Sequence, residues 1–142
     1  MDKINENEIR SLLQKFDYCH DSSVVEVRFK KSRFLSNDGS LTYPFGDMRE
    51  AVNCNIEVIL LRGIVNLDPE EGLLVLNFYN VKSFIFSQSI DYDYSDVYEV
   101  VYKTGNPHTV TFFVTKSKKK ALEIEFESFS FKLGNSSGYN HE

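Results

Sequence analysis

Ala121-Leu122-Glu123-Ile124-Glu125-Phe126-Glu127-Ser128-Phe129-Ser130-Phe131-Lys132-Leu133 is the stretch on which the fold turns. Leu122, Ile124 and Phe126 stand at even positions, whereas Phe129, Phe131 and Leu133 stand at odd ones. Alternation with period two is the mark of a strand with one buried face. A slip of one residue sends every side chain to the opposite face. The change of phase at Glu127-Ser128 therefore predicts either a β-bulge or a strand that crosses from one sheet into another.

The same period extends back along the chain. Segments 97–103 and 109–115 flank Thr104-Gly105-Asn106-Pro107-His108, a hairpin, and the lysine-rich turn 116–120 leads into the last strand. Residues 73–80 and 81–87 are rich in Leu, Val, Ile and Phe and form either one kinked strand or two. A long strand is predicted over 51–66, where Val52, Cys54, Ile56, Val58 and Leu60 alternate with Asn53, Asn55 and Glu57. Ile59 and Leu61 break its polar face, so its second half is expected to be buried on both sides, with Gly63 at a bulge or bend. Asp68-Pro69-Glu70-Glu71-Gly72 is a turn in which proline sets φ and Gly72 is available for a positive one. Asp38-Gly39 predicts a short hairpin between Arg33-Phe34-Leu35 and Leu41-Thr42-Tyr43. In the first strand, from Ser23, Val25, Val27 and Phe29 share a face opposite Glu26 and Arg28.

Ahead of these strands, Ile4, Ile9, Leu12, Leu13 and Phe16 recur at helical spacing, and Asn5 with Glu8 makes a capping box. A helix is predicted over 5–17. The expected fold is α+β and mainly β: an N-terminal helix packed on an antiparallel meander that forms a β-sandwich or a partial barrel. One domain over 1–133 is followed by a small, polar tail over 134–142 that is expected to be flexible.

Composition narrows the class of function. A chain of 142 residues with 42% apolar and 14% aromatic residues can bury a core unaided. The formal net charge of −5 argues against sequence-independent nucleic-acid binding, which needs clustered cations, and suits a basic protein partner. The lysines of 116–120 lie in one turn without arginine or interleaved aromatics, which fits a solubilising hairpin tip. The N-terminus is polar and the apolar runs are short, so neither a signal peptide nor a membrane span is expected, and a cytoplasmic location is. Cys19 and Cys54 read most simply as free thiols in a reducing compartment.

No constellation meets the spacing that catalysis or metal binding requires, and a non-enzymatic domain without a cofactor is expected. His20-Asp21 has the residue types of a base with its orienting carboxylate. Adjacent side chains rarely address one substrate, however, and Asp21 with Ser22 suits local backbone amides where the chain turns. Three scattered histidines lack zinc-ligand spacing. Asp91-Tyr92-Asp93-Tyr94-Ser95-Asp96 begins like a calcium loop, but its sixth residue is Asp96 rather than glycine and its twelfth is Tyr102 rather than glutamate. Tyrosine gives rigid contact area and aspartate gives charge, so Asp91, Tyr92, Asp93, Tyr94 and Asp96 are the candidate partner-binding residues. Glu123 and Glu125, on the polar face of the last strand, could extend the same acidic surface. An apolar interior of this size can be filled or hollow, so a small-ligand-binding barrel or sandwich is the alternative.

The leading helix, then Tyr18-Cys19-His20-Asp21-Ser22-Ser23-Val24-Val25-Glu26-Val27, and later Leu76-Asn77-Phe78-Tyr79-Asn80-Val81, give an order of features. It resembles a group of small bacterial β-rich proteins with a helix, His-Asp, strand opening and a later Phe-x-Asn-Val strand. Some of these look like immunity proteins of polymorphic toxin systems. The likeness spans residues 10–133 in layout and carries over no catalytic residue. It implies a cytoplasmic inhibitor that occludes the basic active-site cleft of a cognate toxin.

Overall fold

In the computed structural model, residues 6–31, 33–43, 54–88, 93–116 and 118–140 are described. Among these residues, helix α1 (Glu6–Lys15) precedes ten strands: β1 (Ser22–Lys31), β2 (Phe34–Leu35), β3 (Leu41–Thr42), β4 (Cys54–Arg62), β5 (Leu73–Tyr79), β6 (Ser83–Phe86), β7 (Glu99–Lys103), β8 (His108–Phe113), β9 (Lys120–Phe126) and β10 (Ser128–Gly134). One antiparallel sheet has the order β1-β4-β5-β10 and a second the order β6-β9-β8-β7, with β2 and β3 as a separate hairpin. The two sheets pack as a sandwich, mainly β with one N-terminal helix.

The phase change at Glu127-Ser128 is a crossing. β9 lies in the second sheet and β10 in the first. Leu122, Ile124 and Phe126 therefore point into the same core as Phe129. Segment 73–87 likewise divides into β5 and β6, one in each sheet. Asn80 (φ 51°) makes the corner between them, where the Val81 amide donates to the Cys54 carbonyl at 2.7 Å. A two-stranded ribbon thus bends through both layers, β5 on β10 and then β6 on β9. The core between the sheets is filled by Phe78, Phe112 and Phe126, each 0% exposed.

In β4 the expected alternation holds, with Ile56, Val58 and Leu60 in the core and Ile59 buried on the other face. The rest of the expected span 51–53 lies outside the described residues. Gly63 follows the strand and marks a close approach rather than a bulge: a Cβ there would stand 2.3 Å from the Asp21 carbonyl oxygen. Gly72 is right-handed at φ −71°, after a 3-10 turn over Pro69–Glu71 that Asp68 caps through the Glu70 amide. It is needed for space, since a Cβ there would meet the Ser136 hydroxyl. The last strand reaches Gly134. The Ser136 amide then donates to the Pro69 carbonyl at 2.8 Å, and Asn135 donates to Glu70 at 2.9 Å.

β1 departs from the expected phase. Val24 pairs with Leu60 and Glu26 with Ile59, so Val25 is an extra, bulged residue. Val24 and Val27 pack on the core as a result, and the uniform face expected of Val25, Val27 and Phe29 is broken. The β2–β3 hairpin forms as expected, with Phe34 opposite Thr42 and Gly39 at φ +88°. Asp38 accepts from Ser36 and from both the amide and hydroxyl of Ser40, which holds its carboxyl well below the usual range.

α1 is shorter than expected, and Ile4 and Asn5 lie outside the described residues. Its Ile9, Leu12 and Leu13 are buried. It lies across the seam between β7 and β10, the edge strands of the two sheets. The Arg10 guanidinium stands 5.0 Å from the centre of the Tyr102 ring, and Phe16 meets Phe131 edge to face at 6.3 Å.

Candidate functional site

The opposite seam, between edge strands β1 and β6, has no helix over it among the described residues. It forms an open-sided groove of about 400 Å³ lined by Val24, Val25, Val27, Phe29, Phe84 and Phe86, with Glu26, Gln88 and Ser95 at its borders. The bulge at Val25 is one reason for this lining, because it puts two consecutive valines on a strand that would otherwise alternate. Phe29 and Phe84 approach across the seam, with ring centres 6.1 Å apart. Phe29 is 60% exposed, Phe84 40% and Phe86 53%, an apolar surface that water covers at a cost. Among the described residues Phe78, Phe112 and Phe126 fill the centre of the core, and the groove offers apolar space at the surface for a ligand or partner.

The turn at Asp93–Asp96 closes one end of the groove, through Ser95. Asp93 accepts from the Ser95 amide at 2.9 Å and from its hydroxyl at 2.6 Å. These bonds, the hydroxyl first, lower the pKa of the Asp93 carboxyl. The Val24 amide donates to the Ser95 carbonyl at 2.7 Å, the Ser23 and Ser95 hydroxyls meet at 3.1 Å, and Asp96 bridges Ser23. The turn is therefore stitched to the start of β1, which fixes the Asp93 carboxylate through Ser95 and the Asp96 backbone through Ser23, with both side chains exposed. Tyr94 is half-buried there. Asp91 and Tyr92 lie outside the described residues.

Glu123 and Glu125 are on different ground. They share the outer face of the second sheet, on β9, where Ile85 and Thr111 flank Glu123, and Ser83 and Thr109 flank Glu125. Glu123 is half-buried and accepts from Thr111 at 2.9 Å. Its ion pair with Lys120 spans 3.1 Å, and the lysine is the larger cause of its lowered pKa, with Thr111 second. A carboxylate already satisfied from two sides has less to offer a partner than Asp96. The structure thus brings together Asp93, Tyr94 and Asp96 with the groove, and sets the two glutamates on a separate face.

Sequence reasoning missed Phe29, Phe84 and Phe86. Their alternation was visible, but an aromatic strand residue looks the same whether its strand is central or at an edge. Edge position is a property of pairing between distant segments.

His20 Nδ1 stands 3.2 Å from Asp21 Oδ2, with both side chains largely exposed. The Asp21 amide donates to the Val97 carbonyl at 3.1 Å, so the residue also serves the chain path. The His20 ring packs edge to face on Tyr98 at 5.3 Å. His108 is the first residue of β8 rather than part of the turn, and its Nδ1 lies 2.8 Å from the Tyr102 hydroxyl. Among the described residues, no three His, Cys, Asp or Glu side chains converge as a metal site requires. Cys19 and Cys54 are free thiols. No helix among the described residues is long and apolar enough to cross a membrane. Compared with known proteins, the chain matches no family, no curated protein and no solved structure.

Proposed function

We propose that this domain is a non-catalytic protein-binding module, an inhibitor of the immunity-protein kind that occludes a basic toxin domain in the cytoplasm. The observation that carries the reading is the pinned Asp93–Asp96 turn beside an exposed apolar groove. Carboxylates on a fixed turn select and steer a cationic partner, and the adjacent apolar surface supplies the desolvated contact that holds it. Neither feature needs a reaction. Asp93, Tyr94 and Asp96 are the first contacts, with Asp91 and Tyr92 in the same segment of sequence. Glu123 and Glu125 are secondary.

The test is co-expression with the protein encoded immediately upstream, followed by binding measurements on the purified pair. Asp93→Asn with Asp96→Asn is the informative variant, because asparagine keeps the acceptor for Ser95 while removing the charge. The expected result is a stable complex that protects growth, formed by the double variant with association about tenfold slower and with an unchanged melting midpoint. A complex indifferent to the double variant overturns the site, and the absence of any complex overturns the reading.

The groove's apolar lining also favours a second reading, a small apolar ligand. Such a ligand would raise the melting midpoint of the isolated domain, since it binds only the folded state.

A further inference from the structure

The free edge of β6 has a specific directionality. The Ser87 amide donates to the Ala121 carbonyl of β9 at 2.8 Å, which fixes the phase of the β6–β9 ladder. In an antiparallel pair, successive residues point their backbone groups alternately toward and away from the neighbouring strand. Ser87 and Ile85 therefore bond to β9, and the N–H and C=O groups of Phe84 and Phe86 point outward; the alternation breaks only before the strand, where the Lys82 amide donates to the Glu125 carbonyl at 2.8 Å. Among the described residues β6 has no neighbour on that side, since it is the end strand of the order β6-β9-β8-β7. All four residues of the strand are exposed, and the nearest charge along the chain is Lys82, just before it. Soluble proteins usually guard such an edge with a charge, a proline or a covering segment.

The sequence of this edge is its own mirror: Ser83-Phe84-Ile85-Phe86-Ser87. A two-fold axis at Ile85 would pair an antiparallel copy with Ser83 opposite Ser87, Phe84 opposite Phe86, and Ile85 opposite itself. In that register the outward amides and carbonyls of Phe84 and Phe86 meet their counterparts in four hydrogen bonds. Lys82 falls opposite Gln88, so no like charges face one another. The Phe84 and Phe86 rings, which already line the groove with Phe29, would join those of the second copy in one apolar cluster.

We propose that β6 is a homotypic docking edge at which a second copy of this chain adds its own β6, joining the two four-stranded sheets into a continuous eight-stranded one. A C2 contact of this kind is isologous and closes on itself, so it ends at the dimer. It goes beyond the inhibitor reading and does not depend on it.

Sedimentation of the full chain across micromolar concentrations tests this. Wild type is expected to pass from monomer to dimer. Ile85→Lys puts two ammonium groups face to face at the axis and should weaken the dimer by about tenfold or more. In the monomer the new lysine lies opposite Glu123, so the melting midpoint should hold. Ile85→Glu should also be monomeric, and an equal mixture of the lysine and glutamate variants should recover the dimer through opposite charges at the axis. Phe86→Pro removes an outward donor and leaves the ladder to β9 intact; it should weaken the dimer more than Phe86→Ala does. A wild type that stays monomeric at every concentration gives the edge to another occupant and overturns the proposal. A dimer that survives Ile85→Lys, or a charge-swapped mixture that stays monomeric, overturns it equally.

Discussion

Cys19 is 2% exposed at the junction of α1 and β1, and its thiol is a core side chain. Burial pushes its pKa from 9.0 up to about 12, against a smaller opposing pull from Arg62. The unfolded thiol ionises near 9, so between there and about 12 the folded chain holds a proton that the unfolded chain has lost. The folded state then binds more protons, and stability falls as pH rises, by about 1.4 kcal/mol per pH unit. The full contribution is present below pH 9. Tyr102, also raised chiefly by burial, adds a slope of the same sign at alkaline pH. Urea midpoints for wild type and Cys19→Ala on both sides of pH 9 should show a steeper alkaline loss in wild type. Parallel curves would mean that the thiol is solvated in the folded state. Sequence exposed none of this, because Cys19 reads there simply as a free thiol and its burial is set by how the helix and β1 pack around it.

At the scale of elements, the junction that buries Cys19 is itself unusual. Asp17, Tyr18 and Cys19 have φ of 50°, 52° and 59°, and Asp21 has 65°. Non-glycine residues pay about 1–2 kcal/mol each for a left-handed turn, so packing must hold it: Cys19 and Phe16 anchor its two ends in the core. Asp17 is exposed, and its φ suits glycine. Asp17→Gly should raise stability by about 0.5–1 kcal/mol, read as a melting midpoint about 2–4 °C higher; a lower midpoint would show that the aspartate side chain holds the turn. The helix before this turn and the strand after it were legible from period alone. The turn was not, since nothing in Asp-Tyr-Cys signals a positive φ. The same division runs through the strands. The crossing from β9 to β10 was written in the phase slip at Glu127-Ser128. The bulge at Val25 was hidden, because Val24-Val25 is apolar in either phase and only pairing with β4 decides which valine turns inward.

For the molecule as a whole, alternation gave the β-rich class and the hairpins, while strand order stayed unreadable because it depends on which distant segments meet. The candidate site follows that rule. The Asp93–Asp96 turn stood out locally, whereas the groove beside it exists only because β1 and β6 became facing edges. The two surfaces also differ in charge, and salt should separate them. Formal net charge is −5 per copy, so two copies repel each other and a cationic partner is drawn in. Raising ionic strength from about 0.1 M to about 1 M shortens the Debye length from about 10 Å to about 3 Å. Screening removes the repulsion between copies, and the strand that joins them carries no charge to lose, so the β6 dimer should tighten with salt. Association with a basic partner should slow over the same range, and its salt slope should flatten in Asp93→Asn with Asp96→Asn. Sedimentation for the first and stopped-flow association for the second measure the two trends. Self-association that weakens with salt would place charged groups at the dimer contact and so contradict the β6 register, whereas a partner association rate indifferent to salt would remove steering by the acidic turn.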